Sequence, residues 1–147
     1  MKKVFFAAML LLLSQFVFAQ TERIKIINTS SCTTYVALRL GDASAPCSTT
    51  YTGSVIAVAP GAVLNYNYTT YPGVSSPAQF FNDAKVLNGN PAFCPTSAVD
   101  VGESCVPAPG SSATGQYNNG CTLCGQANLI WTPDPNPSGT SLLEITP

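Results

Sequence analysis

A two-residue alternation of apolar and polar side chains constrains the fold of this chain more than any other feature. Ile24 and Ile26 alternate with charged residues, and Leu64, Tyr66 and Tyr68 alternate with asparagine. This period is typical of β-strands with one buried face, whereas an amphipathic helix would repeat every 3.6 residues. The sequence therefore predicts an all-β protein.

Runs of β-branched and aromatic residues, separated by turn-forming residues, predict the remaining strands. Pro60-Gly61 predicts a hairpin between the third and fourth strands, and the last two strands predict a closing hairpin. Residues 79–87 fit a helix or a strand, and a strand is favoured. An antiparallel β-sandwich of about seven short strands is the predicted fold. The predicted strands are 23–27, 35–40, 54–59, 62–68, 79–87, 128–132 and 141–146.

Residues 88–125 lack a sustained alternation and are rich in Gly, Pro, Ser and Asn. They also contain four of the six cysteines. Long irregular segments in compact domains are uncommon and tend to be functional. We expect 88–125 to be a long loop held by disulfides.

The first 19 residues have the pattern of a cleaved secretory signal peptide. Lys2 and Lys3 precede an apolar run over 4–13, and Val17 and Ala19 stand where a signal peptidase requires small residues. We expect residues 1–19 to be removed, which leaves 20–147 as a single domain that is secreted or periplasmic.

Composition excludes several classes of function. Four basic and seven acidic residues follow position 19, so there is no basic patch for nucleic acid. No later apolar segment is long enough to span a membrane. The chain has no histidine, which excludes a Ser-His-Asp site and a histidine-ligated zinc. We expect neither a cofactor nor a metal.

The even number of cysteines predicts disulfides, with 15 possible pairings. Pairing of sequence neighbours is the favoured arrangement: Cys32 with Cys47, Cys94 with Cys105, and Cys121 with Cys124. A bridge across only two residues is strained. The alternative is therefore Cys94 with Cys124 and Cys105 with Cys121.

Cys121-Thr122-Leu123-Cys124 has the spacing of a thiol-disulfide redox site. Such a site needs a helix N-terminus or a cation beside the first thiol, and the surrounding sequence predicts neither. A thiol-disulfide oxidoreductase built on Cys121 and Cys124 is therefore one alternative function, and structural disulfides are favoured over it.

Aromatic side chains suggest another alternative, a lectin-like carbohydrate binder in which rings stack on sugar faces. The plainer interpretation places these tyrosines in the core of a sandwich. Asp100 and Glu103 could act as hydrolytic carboxylates or calcium ligands, but solvated loop residues are favoured. The candidate sugar-binding residues are Tyr66, Tyr68, Tyr71, Tyr117 and Trp131.

Residues 24–32, 35–39 and 56–62 together resemble small, uncharacterised exported proteins of Gram-negative bacteria of the Bacteroidota kind. The shared features are a strand ending in Asn-Thr-Ser-Cys, a Val-x-Pro-Gly hairpin and a final hairpin containing Trp131. This resemblance implies export and a β-fold. The first two strands also resemble thaumatin-like proteins, whose additional cysteines and acidic cleft are missing here, so no site residue is implied.

We expect a non-enzymatic binding or structural module. Its partner would be an extracellular protein or a glycan, recognised mainly through 88–125, because rigid β-domains commonly present function on loops. The sequence leaves the ligand and the oligomeric state open.

Overall fold

The structure is a computed structural model that describes residues 21–42, 44–45, 48–49, 51–75, 78–103, 111–119, 121–134, 136 and 138–147. The predicted signal peptide lies outside these residues. The described residues form ten strands and no helix. The strands are β1 (Arg23–Asn28), β2 (Thr34–Gly41), β3 (Tyr51–Thr52), β4 (Ile56–Val58), β5 (Val63–Asn67), β6 (Phe80–Leu87), β7 (Ala98–Gly102), β8 (Ser112–Asn119), β9 (Thr122–Thr132) and β10 (Thr140–Thr146).

The strands make two mostly antiparallel sheets of five. Sheet 1 has the order β5-β1-β10-β9-β8, and sheet 2 has the order β3-β2-β6-β7, with β4 also paired to β2. One pair is parallel: β1 lies beside β10, so the first and last strands adjoin in the middle of sheet 1. Within the described residues, no helix is long and apolar enough to cross a membrane.

Both sheets contribute to one hydrophobic core. The alternation predicts which side chains point inward: Ile24 and Ile26 are fully buried, whereas Arg23 is exposed. The core residues of sheet 1 are Ile24, Ile26, Tyr117, Ala127, Leu129, Trp131, Leu143 and Ile145. Those of sheet 2 are Val36, Leu38, Leu40, Val58, Phe81, Ala84, Val86 and Val101.

Several predicted elements are confirmed. The first two strands, the strand over 79–87 and the closing hairpin of β9 and β10 are all present. The strand count of about seven was too low, because β3 and β7 are short and β8 lacks an apolar alternation.

The hairpin predicted at Pro60-Gly61 is wrong. Gly61 does form a turn, with a φ of 74° that favours glycine. However, β4 pairs with β2 in sheet 2, and β5 pairs with β1 in sheet 1. The turn therefore carries the chain from one sheet to the other.

The irregular segment predicted at 88–125 is also wrong over much of its length. It contains β7, β8 and the start of β9. In β8, alternation is masked because most residues on both faces are small or uncharged and polar. Gly115 lies under the buried ring of Tyr117, and a Cβ at Gly115 would come within 2.8 Å of the Tyr117 hydroxyl.

Asn28 links β1, the turn that follows it and β4. Its side chain is fully buried, and Nδ2 donates to the carbonyls of Cys32 and Val58, at 2.8 Å each. Oδ1 accepts hydrogen bonds from the backbone N–H of Ser30 at 3.0 Å and from its hydroxyl at 2.7 Å. The side-chain amide therefore holds the point where the chain leaves sheet 1 for sheet 2.

The Tyr71 hydroxyl fills a gap along the edge of β2 between β3 and β4. It accepts a hydrogen bond from the Leu38 N–H at 3.1 Å and lies 2.9 Å from the Ser54 carbonyl. Gly53 lies against the ring, and a side chain there would overlap it. Burial raises the pKa of Tyr71 to about 12. The Tyr71 hydroxyl therefore takes the place of a backbone partner for Leu38, where β2 is paired with neither β3 nor β4.

Candidate functional site

Two disulfides cross-link one end of the molecule. Cys32, in the connection from β1 to β2, is bonded to Cys124 of β9, with a Cα–Cα distance of 5.8 Å. Cys94, in the connection from β6 to β7, is bonded to Cys121 in the β8–β9 turn, with a Cα–Cα distance of 5.6 Å. We call residues 88–97 and 121–125, together with Cys32, the cross-linked end.

The cross-linked end needs these ties because the β8–β9 hairpin extends past its neighbour. β10 pairs with β9 only over residues 128–132, so the hairpin beyond Asn128 has no pairing with β10. One disulfide attaches the hairpin to the β1–β2 connection, and the other attaches it to the β6–β7 connection. The Asn118 N–H also donates to the Asn88 carbonyl at 2.6 Å. The tip of the hairpin is thus fixed at three points.

The favoured disulfide pairing is wrong. Cys32, Cys94 and Cys121 are all bonded to cysteines other than their sequence neighbours, and the alternative Cys94–Cys124 bridge is absent too. Cys47 and Cys105 lie outside the described residues. For Cys121 and Cys124 the reason is geometric. In extended chain, residues three apart in sequence are separated by roughly 10 Å, which is beyond the reach of a disulfide.

The predicted redox motif is divided between the two bridges. Cys121 and Cys124 are bonded to Cys94 and Cys32, not to each other. A thiol-disulfide oxidoreductase requires its two cysteines to alternate between dithiol and disulfide. This arrangement gives the motif a structural use, because its two sulfurs hold the hairpin tip to two different connections.

The cross-linked end presents two large apolar side chains to solvent. Phe93 is 78% exposed and Leu123 is 62% exposed, the two highest values among the large hydrophobic residues of the described chain. The Cys121 Sγ lies 3.6 Å from the Phe93 carbonyl oxygen, which places the two residues at the same end. Cys94 follows Phe93, and Cys124 follows Leu123, so each apolar residue adjoins a cross-link.

Charge is absent from this surface. Residues 88–97 and 119–125 contain no Asp, Glu, Lys or Arg. Large exposed apolar groups in a charge-free setting match the centre of a protein interface, where aromatic residues are enriched and charges are depleted. The sequence prediction missed Phe93 and Leu123. The available signal was a large apolar residue directly before a cysteine in a turn-rich segment.

The candidate sugar-binding rings do not form an exposed platform. Tyr71, Tyr117 and Trp131 are at most 3% exposed and belong to the core. Tyr66 and Tyr68 are half-buried and pack against it. The Tyr66 and Tyr71 rings meet edge to face, with centroids 5.1 Å apart. The tyrosines mostly serve the core, as the plainer interpretation held.

Asp100 and Glu103 have separate structural partners. Asp100 accepts a hydrogen bond from Arg39, with Nη2 and Oδ2 3.0 Å apart. Glu103 is buried and accepts one from the Trp131 indole at 3.0 Å. Burial raises the pKa of Glu103, and the indole bond offsets part of this rise. In the described part of the chain, no three acidic or cysteine side chains cluster as a metal site would require.

Asp83 is the most strongly perturbed carboxyl group of the described chain. It is fully buried on β6, where Arg39 contacts it from β2. Its Oδ2 has no hydrogen-bond partner among the described residues. Burial raises the pKa of Asp83 to about 6, since the loss of hydration outweighs the attraction of Arg39. The nearby Asp100 adds a smaller upward shift.

The raised pKa of Asp83 predicts an unusual pH dependence of stability. Folded Asp83 keeps its proton up to about pH 6, whereas the unfolded residue loses it near pH 3.8. Between these values the folded state binds more protons, so the free energy of unfolding falls as pH rises. We expect the protein to be about 1 kcal/mol more stable at pH 5 than at pH 7.

Urea denaturation followed by circular dichroism at the two pH values measures this difference. Asp83→Asn should remove most of it, whereas Lys85→Gln, an exposed change on the same strand, should leave it in place. An Asp83→Asn protein with an unchanged pH difference would contradict the assignment to Asp83.

No protein-family model, curated protein or solved structure shows a significant match to this chain. The functional argument therefore depends on the geometry of the chain itself.

Proposed function

We propose that this protein is an exported, non-enzymatic binding module with the architecture of a β-sandwich, which docks through its cross-linked end onto a protein partner. The N-terminal pattern over 1–19 supports export. The disulfides fit the oxidising conditions that an exported chain meets.

The observation that carries the proposal is the exposure of Phe93 and Leu123 on backbone fixed by two disulfides. A large apolar side chain that stays in water forgoes the free energy of burial, and exposed apolar surface of this kind is typical of interaction sites. Backbone that is already rigid loses little conformational entropy on binding, so most of the contact free energy contributes to affinity.

The chemistry of this surface favours an apolar pocket on a partner protein. Interfaces concentrate their binding energy in a few large residues that fill such pockets, and aromatic residues are prominent among them. Without charges at the cross-linked end, electrostatic attraction contributes little to the contact. Binding should therefore change little when salt is raised, because screening acts on charges.

Site-specific photo-crosslinking of the intact protein tests the proposal. A benzophenone amino acid replaces Phe93, and in a matched control it replaces Thr132, an exposed residue of β9. In the medium of the producing cells, the probe at 93 should label one discrete protein that the probe at 132 does not label. Excess unmodified protein should abolish the labelling.

A double variant, Phe93→Ser with Leu123→Ser, provides the second arm. It should compete for the labelled partner roughly tenfold less well or worse than the unmodified protein, while its thermal unfolding is unchanged. Equal competition by this variant, or equal labelling from positions 93 and 132, would refute docking through the cross-linked end. Labelling of lipid instead of protein would refute the choice of partner.

A further inference from the structure

A groove of about 470 Å³, whose lining is about half polar and half apolar, lies away from the cross-linked end, where β1 and β10 begin and β5 ends. The register across these strands aligns Asn67, Arg23 and Thr140 side by side. Thus three polar side chains from three adjacent strands line one wall. The lining residues are Arg23, Asn65, Asn67, Thr70 and Thr140, together with Ile24 and Tyr66, whose side chains lie on the core side of the sheet.

The Asn67 side chain is held in place with its donor group unused. Its Oδ1 accepts hydrogen bonds from the Thr69 N–H at 3.0 Å, the Thr69 hydroxyl at 2.6 Å and the Thr70 N–H at 2.9 Å. These bonds fix the side-chain amide. Its NH₂ group makes no hydrogen bond within the described chain, so a ligand can accept one from it without reorganising the turn.

Arg23 is a cation without a protein counter-ion in the described residues. Both ion pairs there belong to Arg39, which contacts Asp83 and Asp100. Asp134 is an acidic residue next to the groove, because it is hydrogen-bonded to the groove residue Thr140. Its carboxylate accepts hydrogen bonds from the Asn136 N–H and the Thr140 N–H. These bonds lower the pKa of Asp134 and occupy its oxygens within its own turn. The Arg23 guanidinium therefore remains available to an anion.

We propose that this groove binds a carboxylate-bearing saccharide such as a uronic acid oligomer. The planar guanidinium of Arg23 matches a carboxylate with two parallel hydrogen bonds. The amides of Asn65 and Asn67 and the hydroxyl of Thr140 suit the hydroxyl groups of a sugar. The side chains on the outer face of these three strands offer several neutral donors around one cation, which favours an acidic sugar over an apolar peptide.

Titration of the ¹⁵N-labelled protein with trigalacturonic acid tests the proposal. We expect amide shifts centred on Arg23, Asn67 and Thr140. Galactose oligomers of the same length should bind much more weakly, because they lack the carboxylate. Acetate should also bind much more weakly, because it lacks the hydroxyl groups. Equal shifts with acetate would reduce the groove to a general anion site, and equal shifts with galactose would remove the role of Arg23; either result overturns the proposal.

Variants identify the residues involved. Arg23→Gln should weaken trigalacturonate binding about tenfold or more, and Arg23→Lys should weaken it less because the charge remains. Lys85→Gln, a loss of an exposed cation on the other sheet, should have no effect. The double variant at Phe93 and Leu123 should bind the sugar normally, so this test is independent of the docking proposal. Unchanged binding by both Arg23 variants would refute the site.

Discussion

Replacing Asn28 by alanine is expected to lower the free energy of unfolding by about 3–5 kcal/mol. The change removes four short side-chain hydrogen bonds at a fully buried position. It leaves the Val58 carbonyl and the Ser30 N–H without the partners that Asn28 provides. Each unsatisfied buried group costs about 1–3 kcal/mol, and the cavity left by the amide adds to this cost.

Urea denaturation followed by the fluorescence of Trp131 measures the effect, because this single, buried tryptophan reports on the core. Asn65→Ala is the matched control, since that asparagine is exposed, and it should change stability by less than about 0.5 kcal/mol. Asn28→Asp should cost at least as much as alanine, because a carboxylate cannot donate to the two carbonyls. A loss below 1 kcal/mol for Asn28→Ala would show that other groups satisfy these positions.

The importance of Asn28 illustrates what sequence alone could predict. The alternation in β1 and β5, the apolar run of β2 and the closing hairpin identified these strands correctly, because each pattern is local. The pattern also showed which side chains face the core. It assigned Asn28 only to the end of a strand, since the four groups that bond its side chain come together only in the tertiary structure.

Pairing between distant strands was not predictable in the same way. Pro60-Gly61 specifies a turn, but nothing in a turn dipeptide says whether its two flanking strands join one sheet or two. The parallel contact of β1 and β10 depends on the path of the whole chain between them. β8 was missed because Tyr117 is its only large apolar residue, and the other residues are small or uncharged and polar.

The candidate sites, too, could be predicted from the sequence only in part. Tyr66 and Tyr68 follow an alternation, and both pack against the core. Tyr71 lies outside the strands and Tyr117 lies in a strand without an alternation, yet both are buried, which sequence periodicity could not predict. The exposure of Phe93 and Leu123 could not be read from their apolar character, because large apolar residues are usually buried and exposure depends on the tertiary structure around them. The groove likewise depends on the register that places Asn67, Arg23 and Thr140 in one row.

Removing the Cys32–Cys124 bridge with a Cys32→Ala, Cys124→Ala double variant is expected to destabilise the protein by about 4–5 kcal/mol. The bridged cysteines are 92 residues apart in sequence, so the bridge closes a long loop and restricts the unfolded chain strongly. Removing Cys94–Cys121 in the same way should cost less, about 3–4 kcal/mol, because 27 residues separate its ends.

Non-reducing peptide mapping accompanies this comparison, since loss of one bridge could allow the remaining cysteines to exchange. In the unmodified protein, Cys32 should be recovered linked to Cys124, and Cys94 linked to Cys121. Recovery of a Cys121–Cys124 peptide would contradict this connectivity and support the alternative redox interpretation.

The two variants also separate stability from function. Loss of Cys94–Cys121 should free the segment carrying Phe93, and so weaken photo-crosslinking from position 93, while circular dichroism still reports an intact sheet at low temperature. Loss of Cys32–Cys124 should lower the unfolding temperature more and affect the whole core, because Cys32 is itself a core residue. If both variants unfolded at the same temperature, loop length would not govern the stabilisation. The cross-links would then act chiefly through contacts in the folded state.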